Sequence, residues 1–302
     1  MTTSSASIES LSQQSKPRLA GIFPPVPTPF QDGRLDLDSL RRMLDGLVGS
    51  VDGVTVGGSL AEAASLSIAE RETVIRTVAS HLDRDRALVV SITDNSLEQT
   101  RRLSDVAGEC DAALLMLSCP NYFENDRPML EAYFGAVDDF ASADLCLYDN
   151  PLASNTTLSV DDIVAIQLAA RRITHIKMSD NTLDKITQIR SRIDASIFCG
   201  DDAVLWHHLL TGAEGVMVSI PMVYPEKTAR MWKLVVDGDL EQAYGLYRKL
   251  SHFIHCALSQ QDYPAVIKAV LHERGLLSSS EVRLPLLPLT RARRDEVFSA
   301  LD

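Results

Sequence analysis

Short β-branched and aliphatic runs alternate along the chain with longer segments whose apolar positions recur every three or four residues. The alternation repeats roughly every 30 residues, the length of a βα unit. The runs are Gly21–Pro24, Gly53–Val56, Leu88–Ile92, Ala113–Leu117, Leu145–Tyr148, Ile173–Lys177, Ser196–Cys199 and Gly215–Ser219, eight strands in all. Between the first two, Leu37, Leu40, Met43, Leu44, Leu47 and Val48 share one helical face, and Asp36 or Asp38 stands where a cap is needed. Eight consecutive βα units, without an Asn-Gly or Asp-Gly turn between alternating strands, predict an α/β chain folded as a (β/α)8 TIM barrel. A doubly wound open sheet is the alternative. Its phosphate loop would read G-x-G-x-x-G, whereas the turn after the first strand, Pro24 to Phe30, holds four prolines in seven residues. Beyond Asp237 the strands stop, and Leu240–Leu258, Tyr263–Leu271 and Arg291–Leu301 read as helices. The chain thus divides into a flexible N-terminal tail over 1–18, a catalytic barrel over 19–237 and a C-terminal helical segment over 238–302, assigned to assembly.

In such a barrel, chemistry sits where the strands end at their C-terminal face. Those ends are polar here: Gly57-Gly58-Ser59-Leu60-Ala61-Glu62, Ser118 to Tyr122, Tyr148-Asp149-Asn150-Pro151, Lys177, Gly200-Asp201-Asp202, and Ser219. Lys177 is the most informative, because a lysine seldom ends an apolar strand without a partner or a task. Drawn out of water, such an amine holds its proton less tightly and can attack a carbonyl. A lysine reaching solvent past the strand end is the plain alternative. Tyr148 and Tyr122 each have a packing explanation, but two phenols at neighbouring strand ends, with Ser59, could pass protons during carbinolamine formation and dehydration. The Gly57-Gly58-Ser59 turn leaves backbone N–H groups open to a carboxylate or a phosphate.

Composition narrows the partners. The 302 residues are 45% hydrophobic and 23% charged, with mean hydropathy +0.01, the profile of a soluble globular protein. A net charge of −12 argues against nucleic acid and anionic membranes as partners. No apolar run approaches the roughly 20 residues of a membrane-crossing helix, and the Ser- and Thr-rich start has no secretory pattern, so a cytoplasmic protein is expected. The five cysteines form no C-x-x-C pair and no disulfide framework. His252, His255 and Cys256 have helical spacing but lack a fourth zinc ligand, and His207, His208, Arg171, Arg172 and the Arg291 to Arg294 cluster read as packing or solvated charge.

Taken together, the Pro-x-x-Thr-Pro-Phe opening at Pro25 to Phe30, the turn at Gly57 to Glu62, Tyr122, Tyr148 with Pro151, Ile176-Lys177, and Gly200-Asp201-Asp202 followed by Gly212-Ala213-x-Gly215-Val216 are specific. The sequence resembles the dihydrodipicolinate synthase and N-acetylneuraminate lyase superfamily of pyruvate-dependent class I aldolases, from Pro24 to Leu301. The resemblance implies a Lys177 imine with a 2-oxo acid, Tyr148 as the acid/base beside it, and Ser59 and Tyr122 completing a proton relay, Tyr122 supplied across a dimer interface. It places the substrate carboxylate on the N–H groups of Ser59 and Leu60, beside Gly58. It also implies a homotetramer, with no metal or organic cofactor.

Departures from the family pattern bear on the substrate. Leu60 and Ala61 stand where threonine and glycine are usual, and Leu152-Ala153-Ser154 lacks the arginine that dihydrodipicolinate synthases carry there. Ser179, Asp201, Asp202 and Ser219 match positions that contact substrate hydroxyls in the sialic acid lyase branch. These features lead to the expectation of a Schiff-base aldolase or dehydratase acting on pyruvate or a hydroxylated 2-oxo acid, such as a 2-keto-3-deoxy sugar acid, and not the lysine-pathway synthase. The second reading is a catalytically silent barrel that binds a small 2-oxo acid as a sensor or assembly subunit.

Overall fold

A computed structural model describes residues 18–301; the expected tail up to position 17 lies outside the described residues. The strands are β1 (Gly21–Ile22), β2 (Phe30–Gln31), β3 (Arg34–Leu35), β4 (Gly53–Val56), β5 (Ala87–Ser91), β6 (Leu114–Ser118), β7 (Leu145–Asp149), β8 (Ile173–Met178), β9 (Ser196–Cys199) and β10 (Gly215–Val216). Eight of them form one parallel sheet in the order β1-β10-β9-β8-β7-β6-β5-β4. The sheet closes where the chain after β1 meets β4, through a bridge between Pro25 and Thr55 and hydrogen bonds from Val26 N–H to Thr55 O and from Thr55 N–H to Pro24 O, both 2.9 Å. The expected (β/α)8 barrel is the observed fold.

Side chains alternate along each strand, so one set fills the barrel and the other faces the helices. Phe23, Val89, Leu114, Met116, Cys146, Tyr148, Phe198 and Met217 form the interior cluster. Leu115, Leu117, Leu145, Leu147 and Ile176 belong to the larger cluster beneath the helices. Each such aliphatic side chain contributes roughly 1.5–3 kcal/mol by leaving water. In β8 this alternation turns Lys177 to the Tyr148 side, and the two are register partners.

The helix Leu37–Asp45 starts at Asp36, whose side chain accepts from Ser39 N–H. Its buried face includes Leu40, Met43 and Leu44, but the helix stops before Val48, which is 61% exposed. The sequence reading also missed a hairpin. β2 and β3 pair antiparallel around Asp32-Gly33, whose φ angles of 52° and 75° are those of a tight turn that Asp-Gly accepts readily. Its strands of two residues each are too short to show an alternating pattern.

At the C-terminus, Leu240–Phe253 runs on as a π-helical turn over Ile254–Leu258, followed by Tyr263–Glu273 and Arg291–Ser299. Phe253, Val266, Ile267, Val270 and Val297 lie in the same cluster as the barrel's outer face. Lys268 of this segment is wholly buried against Glu62 at the end of the glycine turn after β4. The helical extension is therefore part of the wall around the barrel mouth. Among the described residues no helix is long and apolar enough to cross a membrane.

Candidate active site

Lys177 lies near the end of β8 with 4% of its surface exposed, and its Nζ sits 3.9 Å from the centroid of the Tyr148 ring. The ring face carries partial negative charge, which offsets part of the cost of burying an ammonium. Room for the lysine comes from Gly200: a Cβ there would stand 2.9 Å from both Cγ and Cε of Lys177 and 2.6 Å from Ser179 Oγ. The Tyr148 hydroxyl accepts from Asn150 Nδ2 at 2.9 Å and from Ser179 Oγ at 3.5 Å. With its lone pairs so engaged, the phenol proton is left to point at whatever occupies the mouth.

Gly57, Gly58, Ser59, Ser118, Tyr148 and Ala153 line a cavity of about 770 Å3 at this face. Gly57 has φ +74°, a backbone conformation that a side chain would strain. Among the described residues, no hydrogen bond uses the N–H of Ser59 or Leu60, which leaves two adjacent donors for a carboxylate. The Leu60 side chain is buried in the core and takes no part in the cavity wall.

Other expected residues fall in different places. Tyr122 is 83% exposed with φ +89°, packed edge-on against Phe123, which is also exposed, and makes no hydrogen bond to Tyr148 or Ser59 of its own chain among the described residues. Both carboxylate oxygens of Asp202 are taken by backbone N–H groups, Ser219 and Ile220, each at 2.8 Å. Burial pushes this carboxyl up to about 6, against the pull of those two donors. Asp201 accepts from Ala203 N–H at 2.8 Å and caps the turn after β9. Asp202 therefore fixes the backbone at Ser219, which is itself buried.

Two groups escaped the sequence reading. Arg71 lines the cavity, but its guanidinium donates to the carbonyls of Ser91 and Thr93 and pairs with Asp94, so its charge is already engaged. Tyr263 opens the helix Tyr263–Glu273 near Ser59 and Tyr148, and burial pushes its phenol up. No local pattern announces it, because the proximity exists only once the C-terminal helices fold back over the mouth.

The family model described as dihydrodipicolinate synthetase family matches residues 18–302. The chain belongs to the dihydrodipicolinate synthetase family. A 4-hydroxy-tetrahydrodipicolinate synthase of Xanthomonas axonopodis pv. citri is 32% identical, over 91% of this chain and 91% of that relative. One from Methanococcus vannielii is 25% identical, over 94% of this chain and 98% of that relative. The crystal structure of the dihydrodipicolinate synthase of Rhodopseudomonas palustris superposes with a TM-score of 0.87 at 29% identity, covering 94% of this chain and 97% of that one.

Members of this family are class I lyases that hold a small 2-oxo acid as a lysine imine without an external cofactor, and this chain is an enzyme of that type. The expectation of a sugar-acid lyase outside the lysine pathway is overturned, and the silent-barrel reading with it, since these relatives are lysine-pathway synthases. The physical reason lies in the weight given to Ala153. One absent guanidinium weakens the grip on a substrate but leaves the imine chemistry at the lysine intact.

Proposed function

We propose that this chain is a 4-hydroxy-tetrahydrodipicolinate synthase that captures pyruvate on Lys177 and condenses it with an amino-acid aldehyde. The observation that carries the reading is the buried Lys177, whose Nζ lies 3.9 Å from the centroid of the Tyr148 ring, itself part of the cavity wall. As the free amine, Nζ attacks the keto carbon of pyruvate, and the carbinolamine loses water with Tyr148 supplying the proton. The pyruvate carboxylate rests on the N–H groups of Ser59 and Leu60. Loss of a methyl proton turns the iminium into an enamine, whose terminal carbon attacks the aldehyde. The alkoxide is protonated, and the amino group of the aldehyde partner then displaces Nζ from the imine carbon. The ring closes, the lysine is freed, and the net reaction is condensation with loss of one water.

The product named for the relatives carries two carboxylates, one from pyruvate and one from the aldehyde. The wall at Ala153 is exposed and uncharged, so the second carboxylate is gripped weakly and a high KM for the aldehyde follows. The working form is a homotetramer in which Tyr122 reaches the mouth of a second copy; its support is the 83% exposure of Tyr122 beside Phe123.

The test supplies pyruvate and aspartate semialdehyde, the aldehyde obtained by disconnecting the new carbon–carbon bond of that product, and follows the cyclic dicarboxylate by mass spectrometry. Appearance of the product, abolished in Lys177→Arg, supports the reading. Consumption of neither substrate by the folded enzyme overturns it. Sedimentation reads the assembly, and a monomer at working concentration overturns the tetramer.

A further inference from the structure

The Tyr148 hydroxyl accepts from Asn150 and Ser179, and the chain neighbours of these two donors, Asp149 and Asp180, share one buried ammonium. Lys185 Nζ donates to Asp149 Oδ2 and to Asp180 Oδ2, each at 2.6 Å. We propose that Lys185 is a positioning residue, whose ammonium ties the C-terminal ends of β7 and β8 together from outside the barrel and so holds the Tyr148 phenol in place beside Lys177. The inference rests on the proposed pyruvate imine at Lys177 and deepens it.

Alternation along β7 turns Tyr148 into the barrel and Asp149 to the helix side, where Met178, the register partner of Asp149 on β8, belongs to the outer cluster. Lys185 opens the helix Lys185–Arg190 that follows β8, and its side chain is 5% exposed. The Asp149 backbone carbonyl also accepts Ser179 N–H at 2.9 Å. A ring of bonds thus runs from the Asp149 side chain through Lys185 to the Asp180 side chain, and back through Ser179 to the Asp149 backbone. Thr182 donates its N–H and its hydroxyl to Asp180 Oδ1, at 2.9 and 2.7 Å, which fixes this carboxylate from its other side. Ser179 lies within the ring and Asn150 one residue beyond it, so both donors to the phenol take their positions from it.

Stability alone does not account for the arrangement. One ammonium serves two carboxylates, and Asp149 Oδ1 is buried with no hydrogen-bond partner among the described residues. Burial pushes the Asp149 carboxyl up, against the pull of Lys185. Apolar side chains of similar volume often stabilise a fold as well as a buried ionic set does; what the ions add is one defined geometry. A lysine in the first turn also opposes the helix dipole, so the needs of the helix do not explain it.

The experiment mixes enzyme with saturating pyruvate, quenches with borohydride at successive times and reads the adduct by mass spectrometry, which gives a rate constant for imine formation and a final yield. It is run on the unaltered enzyme, Lys185→Met, Tyr148→Phe and the double variant. A displacement near 1 Å at a reacting group costs on the order of 100-fold in rate. Lys185→Met is therefore expected to lower the rate constant at least tenfold, with the final yield and the half-saturating pyruvate concentration within twofold of the unaltered enzyme. In the Tyr148→Phe background there is no phenol to place, and adding Lys185→Met should change the rate constant less than threefold. A merely structural role would lower the yield by unfolding part of the enzyme and leave the rate constant of the remainder unchanged. A rate constant lowered less than tenfold in Lys185→Met, or lowered threefold or more by it in the Tyr148→Phe background, overturns the inference and leaves the imine reading standing. An unaltered enzyme that forms no adduct overturns both. Should Lys185→Met not fold with two carboxylates stranded, the triple variant Asp149→Asn, Asp180→Asn, Lys185→Met removes every charge of the set. The same slowing of at least tenfold is expected of it, and a smaller one counts against the positioning role.

Discussion

Lys177 Nζ and the ring of Tyr148 are held 3.9 Å apart on neighbouring strands whose register pairs these two residues directly. The proposed nucleophile and the proposed acid/base beside it thus depend on a single strand pairing, which the apolar residues on either side of each hold in place.

Gly200 is the second determinant of where Lys177 sits. Its substitution by Ala puts a methyl group 2.9 Å from Lys177 Cε, and the flexible lysine end yields before the strand does. A displacement near 1 Å at a reacting atom costs on the order of 100-fold in rate. Gly200→Ala is expected to lower kcat by that order while the thermal midpoint stays within about 3 °C, read by steady-state kinetics and calorimetry.

In the proposed reaction, Ala153 leaves the second carboxylate without a cation on this stretch of the wall. Ala153→Arg places a guanidinium on an exposed stretch of the cavity wall, and a charge-assisted bond to a carboxylate contributes about 1.5–3 kcal/mol. The KM for the aldehyde should fall roughly tenfold with the KM for pyruvate unchanged. An unchanged aldehyde KM would show that the second carboxylate lies elsewhere.

Lys268 and Glu62 form an ion pair with neither side chain exposed, and Glu62 also accepts from Arg283 N–H at 2.7 Å. Lys268→Met strands a buried carboxylate, which costs about 3–5 kcal/mol. Pairing it with Glu62→Gln removes the charge and keeps an acceptor for Arg283. The double variant should therefore be more stable than Lys268→Met alone in urea unfolding.

His175 is buried against Phe198 and accepts Leu19 N–H at its Nε2. Burial, followed by the nearby Arg18, lowers its proton affinity to a midpoint of about 4. Between that value and the unfolded midpoint near 6.5, the unfolded chain binds the proton and the folded one does not. Stability from this group is therefore intact above about pH 6.5 and lost on acidification, by about 2 kcal/mol between pH 7 and pH 5. His175→Gln should flatten that part of the pH dependence of unfolding. An unaltered slope would mean that the imidazole titrates in the folded protein.

The barrel was legible because each strand is a short apolar run followed by an amphipathic segment, and Lys177 stood out as a charge at the end of one such run. Strand pairing then converts that one-dimensional position into contact with Tyr148. The hairpin around Asp32-Gly33 was missed because strands of two residues cannot show a period. Lys268 was assigned to an appendage, since its ion pair with Glu62, 206 residues away, arises only in the folded chain. Asp202 was read as a substrate contact from its match to family positions; its backbone partners at Ser219 and Ile220 belong to the next strand end, and backbone N–H groups leave no trace in a sequence.

The central claim is that Lys177, among all the lysines of the chain, forms the imine. Incubation with pyruvate and borohydride, followed by peptide mapping, is predicted to leave one stable adduct, on the peptide that contains Lys177. An adduct on another lysine, or none with pyruvate on the folded enzyme, would contradict it.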